Sequence, residues 1–429
     1  MKIVQIIPGS GGAFYCQNCL RDLALVRALR QQGHDVLVVP LYLPLLSGEE
    51  AMATRPLFYS AIPLYLRDRL PGFDRWVPAA FRSMLDSLPV LRFAARMAGV
   101  TRADSLGDLT LSMLRGESGR QAVELERLVT WLRDDASFSP DVICLSNALL
   151  LGMARQIKAA LHKPVVCWLQ DEHAWANDME PDQSARVWQT LRERAQDVDG
   201  FVAVSRHYAN QMQAVLSVAS SSMCVIHPGV SSVSPDLGKP HPRTVGFLSR
   251  LAASEGFGVF VDAFIELHRD TRFSDVRLKA TGGPQNSLFI RGQLRKLRAA
   301  GLADRVEIDP LAFRDNRTGF LDSLTLLSVP APQGEAFGIY LIEAMAAGVP
   351  VVQPPVGAYP EILAHANCGV LSADGSPASL ARAWAELMND PARLSDQAAR
   401  GRQAVTSHFN LDRMAQEAVA YYATLRSRS

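Results

Sequence analysis

Long hydrophobic runs are missing from this sequence: none approaches the roughly 18–20 apolar residues needed to cross a bilayer. The opening run, Ile3–Ile7, is short and stops at Pro8. It lacks the longer apolar core and small-residue cleavage site of a secretory signal. Cysteine is scarce, six in 429 residues, at Cys16, Cys19, Cys144, Cys167, Cys224 and Cys368. That spread is too thin for a disulfide framework and fits a reducing cytoplasm. A dominant charge is also absent, since the formal net charge is +1. No global field therefore points to nucleic acid or to an anionic membrane. Short-period repeats and low-complexity tracts are not found either. What is present, 48% hydrophobic and 20% charged residues, is the composition of a globular chain. Its length exceeds what one ordinary core holds, so two domains are expected.

The first forty residues read strand, glycine loop, helix, strand. Lys2–Ile7 is a buried-strand pattern, and Gly9-Ser10-Gly11-Gly12 is a flexible turn. Apolar residues from Leu20 to Leu29 recur at helical spacing, Gly33-His34 stops the helix, and Asp35–Val39 is a second strand. This is the start of a parallel α/β sheet. The stretch from about 44 to 131 mixes aromatics, prolines and arginines and reads as a helical insertion, with one amphipathic helix near Arg82–Met97. The α/β rhythm resumes from Asp141. Between Val230 and Thr244 the chain is rich in proline and serine without periodicity, which marks the domain boundary. The expected domains are residues 1–232, 233–410, and a C-terminal helix in 411–429. Two such α/β halves leave a cleft at the ends of their parallel strands, where open sheets bind ligands.

Several local motifs are weak. The Gly9–Gly12 loop allows close backbone approach at a helix N-terminus and favours an anion; a plain tight turn is the other reading. Its spacing is not G-x-G-x-x-G, and the second strand ends in Val39-Pro40 with no ribose-binding acid, which disfavours a dinucleotide oxidoreductase. Cys16-Gln17-Asn18-Cys19 supplies two ligands where a structural zinc site takes four. It reads as packing or helix-start cysteines, with redox activity as the other reading, and no metal is expected.

The strongest signal is PAPQGEAFGIYLIEAMAAGVPVV, from Pro330 to Val352. A buried strand, expected over Leu324–Val329, ends in a proline-rich turn carrying Glu335. A helix opens near Phe337-Gly338, and Glu343, eight positions after Glu335, is expected about two turns inside it. A carboxylate at a strand end can accept hydrogen bonds from sugar hydroxyls, helix N-terminal amides can meet phosphate oxygens, and a second carboxylate can hold a ribose diol. For two isolated glutamates, a capping acid and a solvated helix acid would be the plainer reading.

The segment resembles the E-x7-E motif of the retaining GT-B glycosyltransferases, most closely family 4. The matching residues are Glu335, Phe337, Gly338, Glu343, Ala344, Ala346, Gly348, Pro350, Val351 and Val352. The similarity extends to Leu25 through Val36, Pro140–Ile143, Val204-Ser205, Ile226–Val230 and Pro360–Ile362. The resemblance implies two Rossmann-like α/β domains facing a central cleft. It further implies transfer of a sugar from a nucleotide-sugar donor to an acceptor hydroxyl with retention, in a hexosyltransferase-type enzyme with no cofactor. By it, Glu335 contacts the donor sugar and Glu343 the nucleotide ribose. The amides near Phe337, Gly338 and Ile339 hold the diphosphate, and Gly11-Gly12 close on the phosphate. The last helix crosses back to the first domain.

One position departs from the family. The pattern G-R-L-x-x-x-K-G reads here Ser249-Arg250-Leu251-Ala252-Ala253-Ser254-Glu255-Gly256. Arg250 is kept, but the phosphate-binding lysine is Glu255. Another cation entering the site, a bridging metal, or a catalytically impaired relative that binds a nucleotide sugar or a partner all remain open; retained activity is the main reading, because Glu335, Glu343 and Arg250 stand.

On the acceptor side, Gln170–Trp175 follows a strand, and Asp171 and His173 are the candidates for donor-sugar or acceptor contact, with a solvated or structural histidine as the plainer reading. The segment Pro56–Met97 sets Trp76, Phe81, Leu85 and Leu91 among arginines. It is a candidate for a lipid-linked acceptor or peripheral membrane contact on the inner face, against ordinary core-packing helices. Donor base, sugar, acceptor (glycan, lipid-linked or small molecule) and oligomeric state have no marker in the sequence.

Overall fold

The computed structural model describes residues 1–8, 17–41, 107–134, 138–231, 242–283 and 287–427. The loop with Gly11 and Gly12, Cys16, the helix expected near Arg82–Met97 and residues 232–241 of the boundary segment lie outside them. The chain divides into two compact units, Met1–Ile226 with Ala415–Ser429, and His227–Met414.

In the first unit the elements run β1 (Lys2–Ile7), α1 (Gln17–Gln31), β2 (Asp35–Pro40), α2 (Gly107–Leu114), α3 (Ala122–Asp134), β3 (Val142–Leu145), α4 (Ala154–Leu161), β4 (Val165–Leu169), α5 (Glu172–Asn177), α6 (Pro181–Arg194), β5 (Gly200–Ala203), α7 (Arg206–Leu216) and β6 (Met223–Val225). The sheet order is β2-β1-β3-β4-β5-β6, every pair parallel. Central strands β3, β4 and β5 are buried at every residue, as expected for a sheet covered on both faces. The order reverses at β1, so chain leaves toward opposite sides beyond the ends of β1 and β3, the place where such sheets hold ligands.

The second unit runs β7 (Thr244–Leu248), α8 (Phe257–Leu267), β8 (Arg277–Thr281), α9 (Ser287–Ala299), β9 (Val306–Ile308), α10 (Ala312–Asp315), α11 (Arg317–Asp322), β10 (Leu326–Leu327), α12 (Ile339–Ala346), β11 (Val352–Gln353), α13 (Tyr359–Ala366), β12 (Val370–Leu371), α14 (Pro377–Met388), α15 (Pro391–Ser407) and the start of α16 (Leu411–Arg426). Parallel β10-β7-β8-β9 form one sheet, and β11-β12 a parallel pair. Leu327 bridges to Val351, and its N–H donates to Pro350 O at 2.9 Å. The strand expected over Leu324–Val329 is trimmed to two residues, and β11 is equally short. Pro330, Pro350, Pro354 and Pro355 supply no N–H to a ladder, which limits regular pairing there. The core holds Phe247 against Phe257 and Phe260, with Trp384 edge-on to Phe260, at ring separations of 5.0–5.3 Å.

Helix α16 begins in the second unit, and its residues from Ala415 belong to the first. There Trp168 Nε1 donates to Tyr422 Oη at 2.9 Å, both side chains fully buried. Tyr421 Oη donates to Ser222 O at 3.0 Å. A Cβ on Gly200 would come within 2.2 Å of the Tyr421 hydroxyl, so β5 receives this helix directly against its backbone.

Candidate active site

Strand β10 delivers the chain into the turn Pro330–Gly334. Gly334 (φ +72°) and Gly357 (φ +59°) lie back to back there; a Cβ on Gly334 would stand 2.5 Å from Gly357 Cα. No L side chain fits that approach. The turn is clamped further by Ala358 N–H donating to Glu335 O at 3.0 Å. Glu335 is buried, 6% exposed. Tyr340 Oη donates to its Oε1 at 3.2 Å.

Gly338 takes φ +84°, left-handed, and α12 starts only at Ile339. Glu343 therefore sits one turn inside the helix rather than two. Its carboxylate is 3.3 Å from Arg317 Nε on α11. Phe337 is buried, its ring 5.9 Å from His227 and 6.0 Å from Phe409. The Phe337 side chain is thus a packing element, and only its backbone is on offer to a ligand. Ile339 is buried at the first helical position.

The loop after β7 meets this turn from the other side. Gly256 takes φ +78°, and a Cβ there would lie 1.9 Å from Pro330 O. That contact brings Glu255, 5% exposed, to the flank of the Glu335 turn. Its carboxylate accepts from Ser249 Oγ at 3.1 Å and pairs with Arg250 Nη2. The acid that replaces the family lysine is therefore engaged by the arginine of the same motif. Burial, then the neighbouring Glu335 and Tyr359 and also Glu255, push the Tyr340 phenol well above its usual range.

In the first unit β4 ends at Leu169, and Asp171 takes φ +69°, an uncommon state for a non-glycine residue that clusters at functional sites. The residue passed over in the sequence, Glu172, is the anchor of this loop. It is fully buried and accepts from Ala148 N and Gln170 N at 2.8 Å and from Tyr208 Oη at 2.6 Å. His173 Nδ1 is buried, 3.7 Å from Asp171 Oδ1, beyond hydrogen-bond reach. Burial, then His207, lower the His173 pKa, so its imidazole is neutral near pH 7 and keeps a ring nitrogen able to accept a proton.

The sequence-expected residues thus fall in two groups: Arg250, Glu255, Glu335, Phe337, Gly338, Ile339 and Glu343 in the second unit, and Asp171 and His173 in the first. Tyr340, Tyr359, Ser249 and Arg317 were not read as site residues. Arg317 lies far from Glu343 in sequence and has no local spacing signal; Tyr340 passes for one more apolar position of α12.

Burial raises the Glu172 pKa above its ordinary 4.5. The folded protein then holds that proton more tightly than the unfolded chain. The resulting stabilisation is complete below about pH 4.5 and is lost as pH rises through the folded value. Glu172→Gln removes this titration and, because the donors are split between Oε1 and Oε2, sets at least one of them against an amide N–H. The variant is expected to lose about 1–3 kcal/mol and to show a flatter fall in thermal midpoint as pH rises above 4.5. Calorimetric scans of both proteins across that range check this.

Residues 242–390 match the family model described as Glycosyl transferases group 1, and residues 111–232 the model described as Glycosyltransferase Family 4. The second match begins within α2, inside the stretch read from sequence as an insertion. The chain is 30% identical over 212 residues to D-inositol 3-phosphate glycosyltransferase 1 of Catenulispora acidiphila, covering 46% of this chain and 50% of that one. It is 32% identical over 193 residues to the lipopolysaccharide core biosynthesis mannosyltransferase LpsB of Rhizobium meliloti, covering 43% and 53%. The matches thus span about half the length of these relatives. Among solved structures, sucrose-phosphate synthase from Thermosynechococcus elongatus aligns with TM-score 0.68 at 17% identity over 100% of both chains. Anabaena HepE in complex with UDP and glucose aligns with TM-score 0.66 at 17% identity, over 99% of this chain and 100% of that one. With both family models matched in order and the fold shared end to end, this chain belongs to the family 4, group 1 glycosyltransferases and has their GT-B fold.

Proposed function

We propose that this chain transfers a sugar from a nucleotide-sugar donor to an acceptor hydroxyl, with retention of anomeric configuration, as a hexosyltransferase-type enzyme. The observation that carries the reading is the buried Glu335 carboxyl on a glycine-clamped turn, at the end of β10 and immediately before α12. Glu335 contacts the donor sugar, Glu343 the ribose, Arg250 the leaving diphosphate, and the amides near Phe337, Gly338 and Ile339 the phosphate oxygens. From the first unit, the Gly11-Gly12 loop closes on the phosphate, and Asp171 and His173 serve the sugar or acceptor. The acceptor hydroxyl attacks from the leaving-group side, and a donor phosphate oxygen takes its proton. The protein's part is positioning and charge stabilisation, without resident cofactor or metal. A cytoplasmic setting, with peripheral membrane contact through Pro56–Met97 for a lipid-linked acceptor, belongs to the same proposal, as does a role in polysaccharide or glycolipid assembly. Relatives named as inositol-phosphate glycosyltransferase and mannosyltransferase support the class.

The pairing of Arg250 with Glu255 favours a second reading, in which the protein binds a nucleotide sugar and turns it over little. A panel of UDP-, GDP- and ADP-sugars followed by mass spectrometry separates the two. Release of nucleoside diphosphate from one donor is expected, and an anomeric NMR assignment of the product reads the stereochemistry. Nucleotide binding without turnover on any donor or acceptor extract supports the second reading instead.

A further inference from the structure

Behind Glu335 stands a chain of two buried hydroxyls. Tyr340 Oη lies 3.2 Å from Glu335 Oε1 and 2.8 Å from Tyr359 Oη, which in turn lies 3.0 Å from Val329 O. Both tyrosines are fully buried. These are three oxygen–oxygen contacts served by only two phenolic protons. All three are satisfied at once when Glu335 carries a proton: the acid donates to Tyr340, Tyr340 to Tyr359, and Tyr359 to the Val329 carbonyl. When Glu335 is ionised, Tyr359 turns to donate to Tyr340, which donates to the carboxylate. Val329 O is not orphaned by that turn, because Ala331 N–H donates to it at 2.9 Å. Neither state strands a buried donor, and hydroxyls in series strengthen one another.

We infer that Tyr340 and Tyr359 are positioning residues for Glu335, a hydroxyl pair that holds its Oε1 in both protonation states and reverses its donating direction when the proton leaves. Their relevance to transfer rests on the proposed donor contact of Glu335. The other charged group acting on Tyr340 is Glu255, with Arg250 on its carboxylate; α13 contributes the Tyr359 hydroxyl and carries Glu361 and His365. The consequence for the reaction is order. A carboxyl held from behind at one oxygen, in either ionisation state, meets an arriving sugar without first reorganising.

The test is an infrared titration of the full-length protein, following the Glu335 carboxyl band identified by its loss in Glu335→Gln. The hydrogen bond to the ionised form is the stronger one. Tyr340→Phe is therefore expected to raise the Glu335 midpoint by about one pH unit, and Tyr359→Phe to raise it by a smaller amount. A packing role alone leaves the midpoint in place, since phenylalanine keeps each ring. An unmoved or lowered midpoint in Tyr340→Phe, or an unmoved one in Tyr359→Phe, overturns the inference. Repeating the wild-type titration with UDP-glucose, GDP-mannose and ADP-glucose in turn separates this from the functional reading. If both tyrosine shifts appear and no nucleotide sugar moves the band, the hydroxyl chain stands and the donor contact of Glu335 falls.

Discussion

Glu335→Gln is expected to cut kcat/KM for the preferred donor by about a hundred- to a thousandfold while leaving the thermal midpoint close to that of the parent. A hydrogen bond to an ionised group is worth roughly 1.5–3 kcal/mol, and removing one preorganised stabilising group at a reacting centre costs about 10²–10³ in rate. Glutamine keeps the shape and an acceptor for Tyr340, but it loses the charge and turns one acceptor into a donor. The fold has little at stake in that exchange, because the turn is clamped through backbone, by Ala358 N–H on Glu335 O and by the Gly334–Gly357 contact. Steady-state kinetics beside a thermal scan checks both halves. Activity within about threefold of the parent would show that Glu335 is a structural acid and remove the base of the proposed reaction.

The second large effect concerns Glu255. In the resting protein its carboxylate takes up Arg250, and the cation of the motif is matched by an anion from its own loop. Glu255→Lys restores the family residue and reverses that charge. A unit charge about 4 Å from a phosphate is worth on the order of 1–4 kcal/mol at water-like to surface-like dielectric. Arg250 is 31% exposed, so solvent screening places the gain toward the lower end. UDP is expected to bind about ten- to thirtyfold more tightly to the variant, with the difference shrinking as salt rises. Without nucleotide the same variant sets lysine beside arginine and is expected to melt lower, and UDP should restore the loss. Titration calorimetry at two ionic strengths, with thermal scans with and without UDP, reads all of this. Weaker UDP binding by Glu255→Lys would mean that the acid serves the site by aiming Arg250, and that the departure from the family pattern is an adaptation of the donor grip.

Much of this architecture was legible beforehand, and the reasons are local. Strands such as Ile3–Ile7 and Val165–Leu169 are apolar runs, and the glycines at 256 and 348 mark left-handed turns that L side chains rarely adopt. The E-x7-E segment stood out because its acids, glycines and small residues lie within one stretch of chain. What escaped was whatever depended on packing across distance. Nothing near Glu172 in sequence tells that three donors converge on it, and nothing near Glu255 tells that Ser249 and Arg250 fold back onto its carboxylate. The start of α12 was misplaced because the conformation of Gly338, rather than any propensity, sets it. Strand β10 came out shorter because Leu324 N–H is taken by Leu321 O at the end of α11 and Pro330 follows Val329, and β11 because Pro350 supplies no ladder N–H.

The shared helix α16 has a bearing on how the molecule is made. Trp168 and Gly200 wait for Tyr422 and Tyr421, which leave the ribosome only after the whole second unit has been synthesised. The first unit therefore cannot complete its packing during translation, although it is made first. It must persist with the floor of β4 and β5 uncovered while its neighbour folds. A chain cut short before Ala415 would keep every residue of the Glu335 turn and still lack the cover of those strands, so loss of the tail should surface as aggregation of nascent protein before it surfaces as a kinetic defect.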